Sequence, residues 1–290
     1  MANIPGNSGV DNIQGTIGDD ILNRDGDPLS FPGTRGNDRV FGFAGNDFLY
    51  GGHDNDVLNG GDGDDVLDGG TGSDGLSGGD GADQLLGGEG GDTLLGNGND
   101  DVLDGGSDKD FLSGGDGADT LRGGTGDDTL YGGTGNDKLN GGDGSDDLYG
   151  DNGNDTLKGN NGDDWLYGGA GRDILTGGVG ADIYDYNKVS ESRAGASNRD
   201  SISTVSNIDT IDLRDIDANV ILPGNQDFTY IGSDQFHGLA GLFVPGELRY
   251  SNGILSGNTD TDAAAEFQIE LVGSPGLFVQ AGHPSSDILL

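Results

Sequence analysis

A nine-residue period runs through this chain from residue 6 to residue 185 without gaining or losing a residue. Taking Gly51 as position one of a unit and Asn59 as position nine, stepping in both directions gives twenty units. Position six is Asp in nineteen of them: Asp11, Asp20, Asp38, Asp47, Asp56, Asp65, Asp74, Asp83, Asp92, Asp101, Asp110, Asp119, Asp128, Asp137, Asp146, Asp155, Asp164, Asp173 and Asp182. Position eight is apolar in all twenty, from Ile13 through a long run of leucines to Tyr184, and position one is Gly everywhere except Arg24. That exception, residues 24–32, is itself nine residues long and has Leu29 at position six, so a degenerate unit keeps the count. Self-similarity at a short fixed period is the signature of a solenoid, in which each repeat buries its apolar side only against its neighbours.

The residue types say how a unit is built. Glycines at positions one, two and four allow backbone conformations that a side chain forbids, so six residues can turn sharply. The three that follow read as a short strand, with position eight inward and positions seven and nine outward. One apolar side chain in nine makes a thin core, and residues 24–32 join it as a rung if Phe31 fills the core position. A solvated acidic linker would share this composition, but a linker does not keep Leu in phase over twenty units.

The pattern G-G-x-G-x-D-x-U-x resembles the RTX (repeats-in-toxin) nonapeptide family over about two thirds of the chain. The resemblance implies an all-β fold, a right-handed parallel β-roll that acts as a calcium-binding solenoid over residues 1–185. Two units make one turn, so Asp56 lies above Asp38 and below Asp74. Stacked carboxylates repel unless a cation sits between them, and carboxylate and carbonyl oxygens suit the hard Ca²⁺ ion. All the position-six aspartates named above except Asp11 are therefore expected as metal ligands. They form nine pairs on one edge (Asp20 to Asp182) and seven on the other (Asp47 to Asp173). The sixteen Ca²⁺ ions this implies would reduce the formal charge of −39 to about −7. Without them, self-repulsion and glycine entropy leave the chain disordered. Asp54, Asn99 and Asp108 replace Gly at position four and are expected to weaken their sites.

Residues 186–290 lose the repeat and gain alternating strand patterns. Here Gly180-Ala181-Asp182-Ile183-Tyr184, Ile208-Asp209-Thr210-Ile211-Asp212-Leu213, Gly246-Glu247-Leu248-Arg249-Tyr250 and Glu266-Phe267-Gln268-Ile269-Glu270-Leu271 resemble the C-terminal domain of serralysin-type metalloproteases. The terminal Asp287-Ile288-Leu289-Leu290 resembles that family's acidic residue followed by three apolar ones. The resemblance implies a β-rich C-terminal cap carrying an uncleaved signal for type I secretion. Asn258-Thr259-Asp260-Thr261-Asp262 looks like a remnant calcium loop. The cap covers the C-terminal edge of the solenoid, whereas nothing before Gly6 is expected to cover the other edge.

Composition narrows the setting. The chain has no cysteine, so calcium takes the stapling role of disulfides, and no apolar run is long enough to insert in a membrane. Its negative charge argues against nucleic acid and anionic lipid as partners. Met1-Ala2-Asn3-Ile4-Pro5 carries no basic and apolar export signal, and the roughly 0.1 to 1 mM calcium typical of extracellular modules is found outside the cell.

Catalysis finds little footing. Serralysins use H-E-x-x-H-x-x-G-x-x-H to hold zinc, but His53, His237 and His283 are not so spaced. Gly75-Leu76-Ser77-Gly78-Gly79 satisfies G-x-S-x-G, which marks a nucleophile only on a strand-to-helix turn. Tyr131, Tyr149 and Tyr167 at position nine, with Phe111 and Trp165 at position seven, form an aromatic row. It would serve as cross-strand support, a seat for the C-terminal region, or an intermolecular face. The reading that results is a non-enzymatic secreted protein, made of roll and cap alone. It would self-assemble in external calcium as a surface layer or biofilm matrix, with a polysaccharide-associated accessory module as the alternative.

Overall fold

The structure, a computed structural model, describes residues 36–188 without a break, together with 190–193, 197, 199–203, 209–213, 251–252, 254–258 and 267–272. It also gives the backbone of strands at 3–5, 12–14, 21–23, 229–230, 238–239, 242–243, 247–250 and 288–289. Among the described residues every regular element is a β-strand. The chain divides into two compact units, Met1–Asp147 and Leu148–Leu290.

The first unit is a parallel β-solenoid. One sheet runs Asn3–Pro5, Ile21–Asn23, Phe48–His53, Val66–Thr71, Gln84–Glu89, Val102–Ser107, Thr120–Thr125, Lys138–Asp143. The other runs Asn12–Gln14, Arg39–Ala44, Val57–Asp62, Gly75–Asp80, Thr93–Gly98, Phe111–Asp116, Thr129–Thr134. From Phe48 onward, neighbours in a sheet are eighteen residues apart, as in Leu58 against Leu76 and Leu67 against Leu85. Every position-eight residue from Val40 to Leu139 is buried to within 1%.

From Arg39 to Asp143 the strands are six residues long, not three. Each covers positions seven to nine and the first three positions of the next unit, and burial alternates through position one, as in Val57–Asp62. The register skips the position-one glycine: Asn59 pairs with Ser77 and Gly61 with Gly79. The chain stays extended there because glycine brings no side chain into the interior.

At the N-terminus three expectations fail. Ile21 pairs with Phe48 and Asn12 with Arg39, a separation of twenty-seven residues, so residues 24–32 supply no rung. The strand after Asp20 lies against the strand after Asp47, which overturns the pairing of Asp20 with Asp38 and the division of pairs built on it. Leu29 is the physical reason, since it lacks the carboxylate that ties each rung to the one before. Asp20 and Phe31 themselves lie outside the described residues. The stretch before Gly6 is not bare either, because Asn3–Pro5 forms a rung on Ile21–Asn23.

In the second unit the ladder runs past the last regular repeat. Ile174–Val179 pairs with Thr156–Asn161 on one side and Asp200–Ser203 on the other, all parallel. Phe267–Val272 follows in parallel, then Ile254–Asn258 and Glu247–Ser251 antiparallel. In the companion sheet Trp165–Tyr167, Ile183–Asp185, Thr210–Asp212 and Ile288–Leu289 are parallel neighbours. Residues beyond 185 therefore cover the strands that end the nonapeptide run, with Ile202 and Ile211 continuing the buried column at 0% exposure.

Candidate metal centres

Each position-six aspartate from Asp38 to Asp182 stands where a corner loop enters its strand, and its side chain turns inward. None from Asp38 to Asp182 is more than 3% exposed. One carboxylate oxygen, Oδ1, accepts the backbone N–H of the aspartate one rung earlier. Asp38 donates to Asp56 at 2.8 Å, Asp56 to Asp74 at 2.7 Å and Asp74 to Asp92 at 2.7 Å on one edge. On the other, Asp47 donates to Asp65 at 2.7 Å and Asp65 to Asp83 at 2.8 Å. The carbonyl of each accepts from the residue after the next aspartate, as in Val57 to Asp38 at 2.9 Å. Position six is thus a backbone clasp as well as a charge.

The other oxygen, Oδ2, has a different setting. In Asp65, Asp74, Asp83, Asp92, Asp101, Asp110, Asp119, Asp128, Asp173 and Asp182 it is buried and receives no hydrogen bond. It faces the position-one glycine of its own unit. A Cβ on Gly69 would lie 2.5 Å from Asp74 Oδ2 and 2.8 Å from the Gly87 carbonyl oxygen one rung on. Position one is therefore glycine to leave a small space lined by a carboxylate and a carbonyl oxygen. The position-four substitutes Asp54, Asn99 and Asp108 take φ of 71°, 72° and 75°, the left-handed region their neighbours reach with glycine, so the corner survives there.

Electrostatics point the same way. The carboxyls of Asp65, Asp101 and Asp110 are pushed up to about 7, and those of Asp83, Asp92, Asp119, Asp128, Asp146 and Asp182 to about 6. Burial is the main cause, the N–H bond opposes it, and like charges on neighbouring acids add to the rise. A buried anionic oxygen beside a carbonyl, with no donor, is a site for a hard cation. Among the described residues no three His, Cys, Asp or Glu side chains gather as a metal cluster. An ion here would take its charge from single aspartates and its remaining ligands from backbone carbonyls.

The expected ligands from Asp38 to Asp182 thus sit in repeating, equivalent corners. Sequence reasoning missed a second clasp at position five, where the acceptor points the other way along the ladder. Asn46 Oδ1 accepts from Asp64 N–H at 3.1 Å, Asp64 from Ala82 at 3.0 Å and Asp100 from Ala118 at 2.8 Å. The recurrent Asn or Asp before position six was its signal. It also missed Asp200 and Asp209, which fall on the same nine-residue clock twenty-seven residues after Asp173 and Asp182. Asp200 is pushed up to about 8 by burial and by the Asp173 charge.

Other candidates settle into structural places. His53 Nδ1 lies 2.8 Å from Thr71 Oγ1 on an exposed edge. Ser77 lies mid-strand and accepts a hydrogen bond from Asn97 at 3.1 Å. The rings of Tyr149 and Tyr167 lie tilted with centroids 6.2 Å apart, and those of Phe111 and Tyr131 tilted at 5.6 Å. The Tyr167 hydroxyl donates to buried Glu191 at 2.9 Å, so this tyrosine does seat a C-terminal segment. The remnant loop at 259–262 lies outside the described residues.

The family described as RTX calcium-binding nonapeptide repeat (4 copies) matches residues 5–23, 33–58, 41–76, 52–85, 77–112, 113–148 and 149–184, more than half of the chain. The chain belongs to the RTX calcium-binding repeat family. The matched RTX segments leave out 24–32, the same residues that the strand register passes over. They stop at 184, and nothing matched bears on the serralysin-like reading of 186–290. A similar solved structure is the solution structure of the AlgE6R3 subunit from the Azotobacter vinelandii mannuronan C5-epimerase. It is 28% identical, covers 49% of this chain and 74% of that one, and superposes with a TM-score of 0.34, too loose for comparison of residues. No curated protein matches the chain. Among the described residues no helix is long and apolar enough to cross a membrane.

Proposed function

We propose that this RTX protein is a non-catalytic structural protein, exported through a type I machinery, that folds on meeting extracellular calcium and then self-assembles into a surface layer or matrix. The observation that carries the calcium step is the row of buried Oδ2 atoms without a hydrogen bond in Asp65, Asp74, Asp83, Asp92, Asp101, Asp110, Asp119, Asp128, Asp173 and Asp182. An ionised carboxylate so placed needs a cation to make the folded state favourable. One Ca²⁺ between successive rungs within each unit, held by the aspartates from Asp38 to Asp146 in the first and from Asp155 to Asp182 in the second, meets that need. Folding is then deferred until the chain reaches millimolar calcium.

Two features support assembly. Phe48, Val57, Val102 and Phe111 expose 39% to 45% of their surface on the sheets, and apolar exterior favours contact with another molecule. Among the described residues Asn3–Pro5 and Asn12–Gln14 end their sheets, and an end strand offers backbone groups to another chain. The non-catalytic reading draws on Ser77, which lies within a paired strand rather than on a strand-to-helix turn.

Electron microscopy of the full chain, refolded with calcium or with a chelator, tests the proposal. Ordered sheets or filaments only with calcium support it. Dispersed monomers in calcium overturn self-assembly, and monomers that bind an acidic or neutral polysaccharide would make this an accessory binding module instead.

A further inference from the structure

The nonapeptide match ends at residue 184, but the geometry of the metal corners does not. Asp173 N–H donates to Asp200 Oδ1 at 2.7 Å, the same contact each aspartate of the roll makes with the one eighteen residues on. Ser201 N–H returns to the Asp173 carbonyl at 2.8 Å, as Val57 does to Asp38. Ser201 and Ile202 pair with Ile174 and Leu175, so Asp200-Ser201-Ile202 occupies the place of a further D-x-U triplet. Residues 195–203 keep Gly195 at position one, Asn198 at position four and Ile202 at position eight. A nine-residue stretch, 186–194, stands between this degenerate unit and the last regular one.

The paired carboxylates of this corner call for a ligand. Asp200 Oδ2 and Asp173 Oδ2 are both buried with no hydrogen bond, on residues that are 0% exposed. The Tyr186 hydroxyl, on a residue 2% exposed, lies against the Asp200 carboxyl and favours its charged form. The loop that closes over them is built for this place: Asp200 N–H donates to Ser192 Oγ at 2.8 Å, and Ser192 Oγ–H donates to the Gln268 carbonyl at 2.6 Å. Nearby Glu191 is already engaged, accepting from Tyr167 O–H at 2.9 Å and Asn187 N–H at 2.7 Å.

We propose that Asp173 and Asp200 hold a hard divalent cation outside the repeat array, and that this ion fastens the C-terminal sheet to the last rung of the nonapeptides. This rests on the reading of the position-six corners as calcium sites. The strand that carries Asp200 is the one on which Phe267–Val272 pairs, with Asp200 against Ile269. Loss of the ion leaves two facing anions at the root of that sheet. Calcium then governs whether residues 200–203 and 267–272 dock, separately from whether the roll closes.

The test is native mass spectrometry and hydrogen exchange on the full chain in calcium, comparing wild type, Asp200→Asn and Asp128→Asn. Asn keeps an acceptor for the Asp173 N–H while removing the carboxylate. Asp200→Asn is expected to carry one calcium fewer than wild type at saturation. It should also lose calcium-dependent protection in 200–203 and 267–272 while Phe111–Asp116 stays protected. Asp128→Asn should lose ions yet keep protection in 267–272. An unchanged ion count in Asp200→Asn, or protection of 267–272 that is equal with calcium and with chelator in wild type, overturns the inference. A wild-type chain that takes up no calcium overturns the calcium reading of the corners as well.

Discussion

Replacing Asp110 by Asn should change the sign of its effect with calcium. Asp110 Oδ1 accepts from Asp92 N–H at 2.7 Å, and an amide oxygen can still do so. What the substitution removes is the charge on a carboxyl held at about 7 by burial first and by Asp128 and Asp92 as like charges. The folded value lies above the unfolded one, so ionisation opposes folding. The opposition is absent below about pH 4, grows as pH rises, and is complete above about pH 7. The rise from 3.8 to about 7 corresponds to at most about 4 kcal/mol. Without metal, at about pH 8, Asp110→Asn should therefore fold more readily than wild type, and the advantage should vanish near pH 4. In calcium at roughly a hundredfold excess over the dissociation constant, each lost site removes about 2.7 kcal/mol, so the same variant should be less stable. Urea unfolding followed by far-ultraviolet circular dichroism gives the calcium arm. Folding of the metal-free chain with a stabilising osmolyte gives the other. Equal destabilisation in both arms would refute the idea that this carboxylate waits for a cation.

Gly69→Ala places a Cβ 2.5 Å from Asp74 Oδ2, whereas the nearest atom to a Cβ on Gly75 is the Asp56 carbonyl oxygen at 4.0 Å. The first should raise the calcium concentration needed for folding and the second should leave it unchanged, as read by dichroism during calcium titration. Leu112 is 0% exposed between Leu94 and Leu130, and Leu112→Ala should cost about 2–5 kcal/mol in calcium-loaded unfolding; a cost below about 1 kcal/mol would mean that the column does not carry the fold. Tyr167→Phe strips a donor from buried Glu191 and should cost about 1–3 kcal/mol, seen first as faster exchange of the Asn187 amide, which shares that carboxylate.

The parts of the fold that were legible are those that repeat. Leucine at position eight and aspartate at position six show in the period alone, and both are buried where the period puts them. Position one was legible as glycine but not for its reason, since the need there is space beside Oδ2 rather than an unusual backbone angle. Position five gave no clear signal because Ser73, Ala82, Gly91, Lys109 and Arg172 also stand there, yet where it is Asn or Asp both present the same acceptor oxygen to the next rung. Residues 24–32 misled because nine residues outside the ladder keep the same count as nine within it. Asp200 and Asp209 were hidden for the opposite reason, standing in phase but stripped of the glycines that advertise a unit.

The two places where the register lengthens to twenty-seven point to a rule for admission to the ladder. Residues 24–32 have Leu29 at position six and residues 186–194 have Glu191, while the units at Asp200 and Asp209 have lost most of their glycines and are still admitted. What the admitted units share is an aspartate whose Oδ1 takes the N–H of the rung before, as Asp209 does from Asp182 at 3.2 Å. Leucine has no acceptor, and the longer glutamate at 191 spends its oxygens on Tyr167 and Asn187. Asp119 separates this clasp from the charge, because Asp101 N–H donates to its Oδ1 at 2.8 Å. Asp119→Asn keeps an acceptor and Asp119→Leu leaves the buried Asp101 amide without one, which should cost a further 1–3 kcal/mol or so. Hydrogen exchange at Asp101 should be slow in the first variant and fast in the second. Equal exchange in both would mean that the clasp does not decide which nonapeptides enter the roll, and that ion binding alone does.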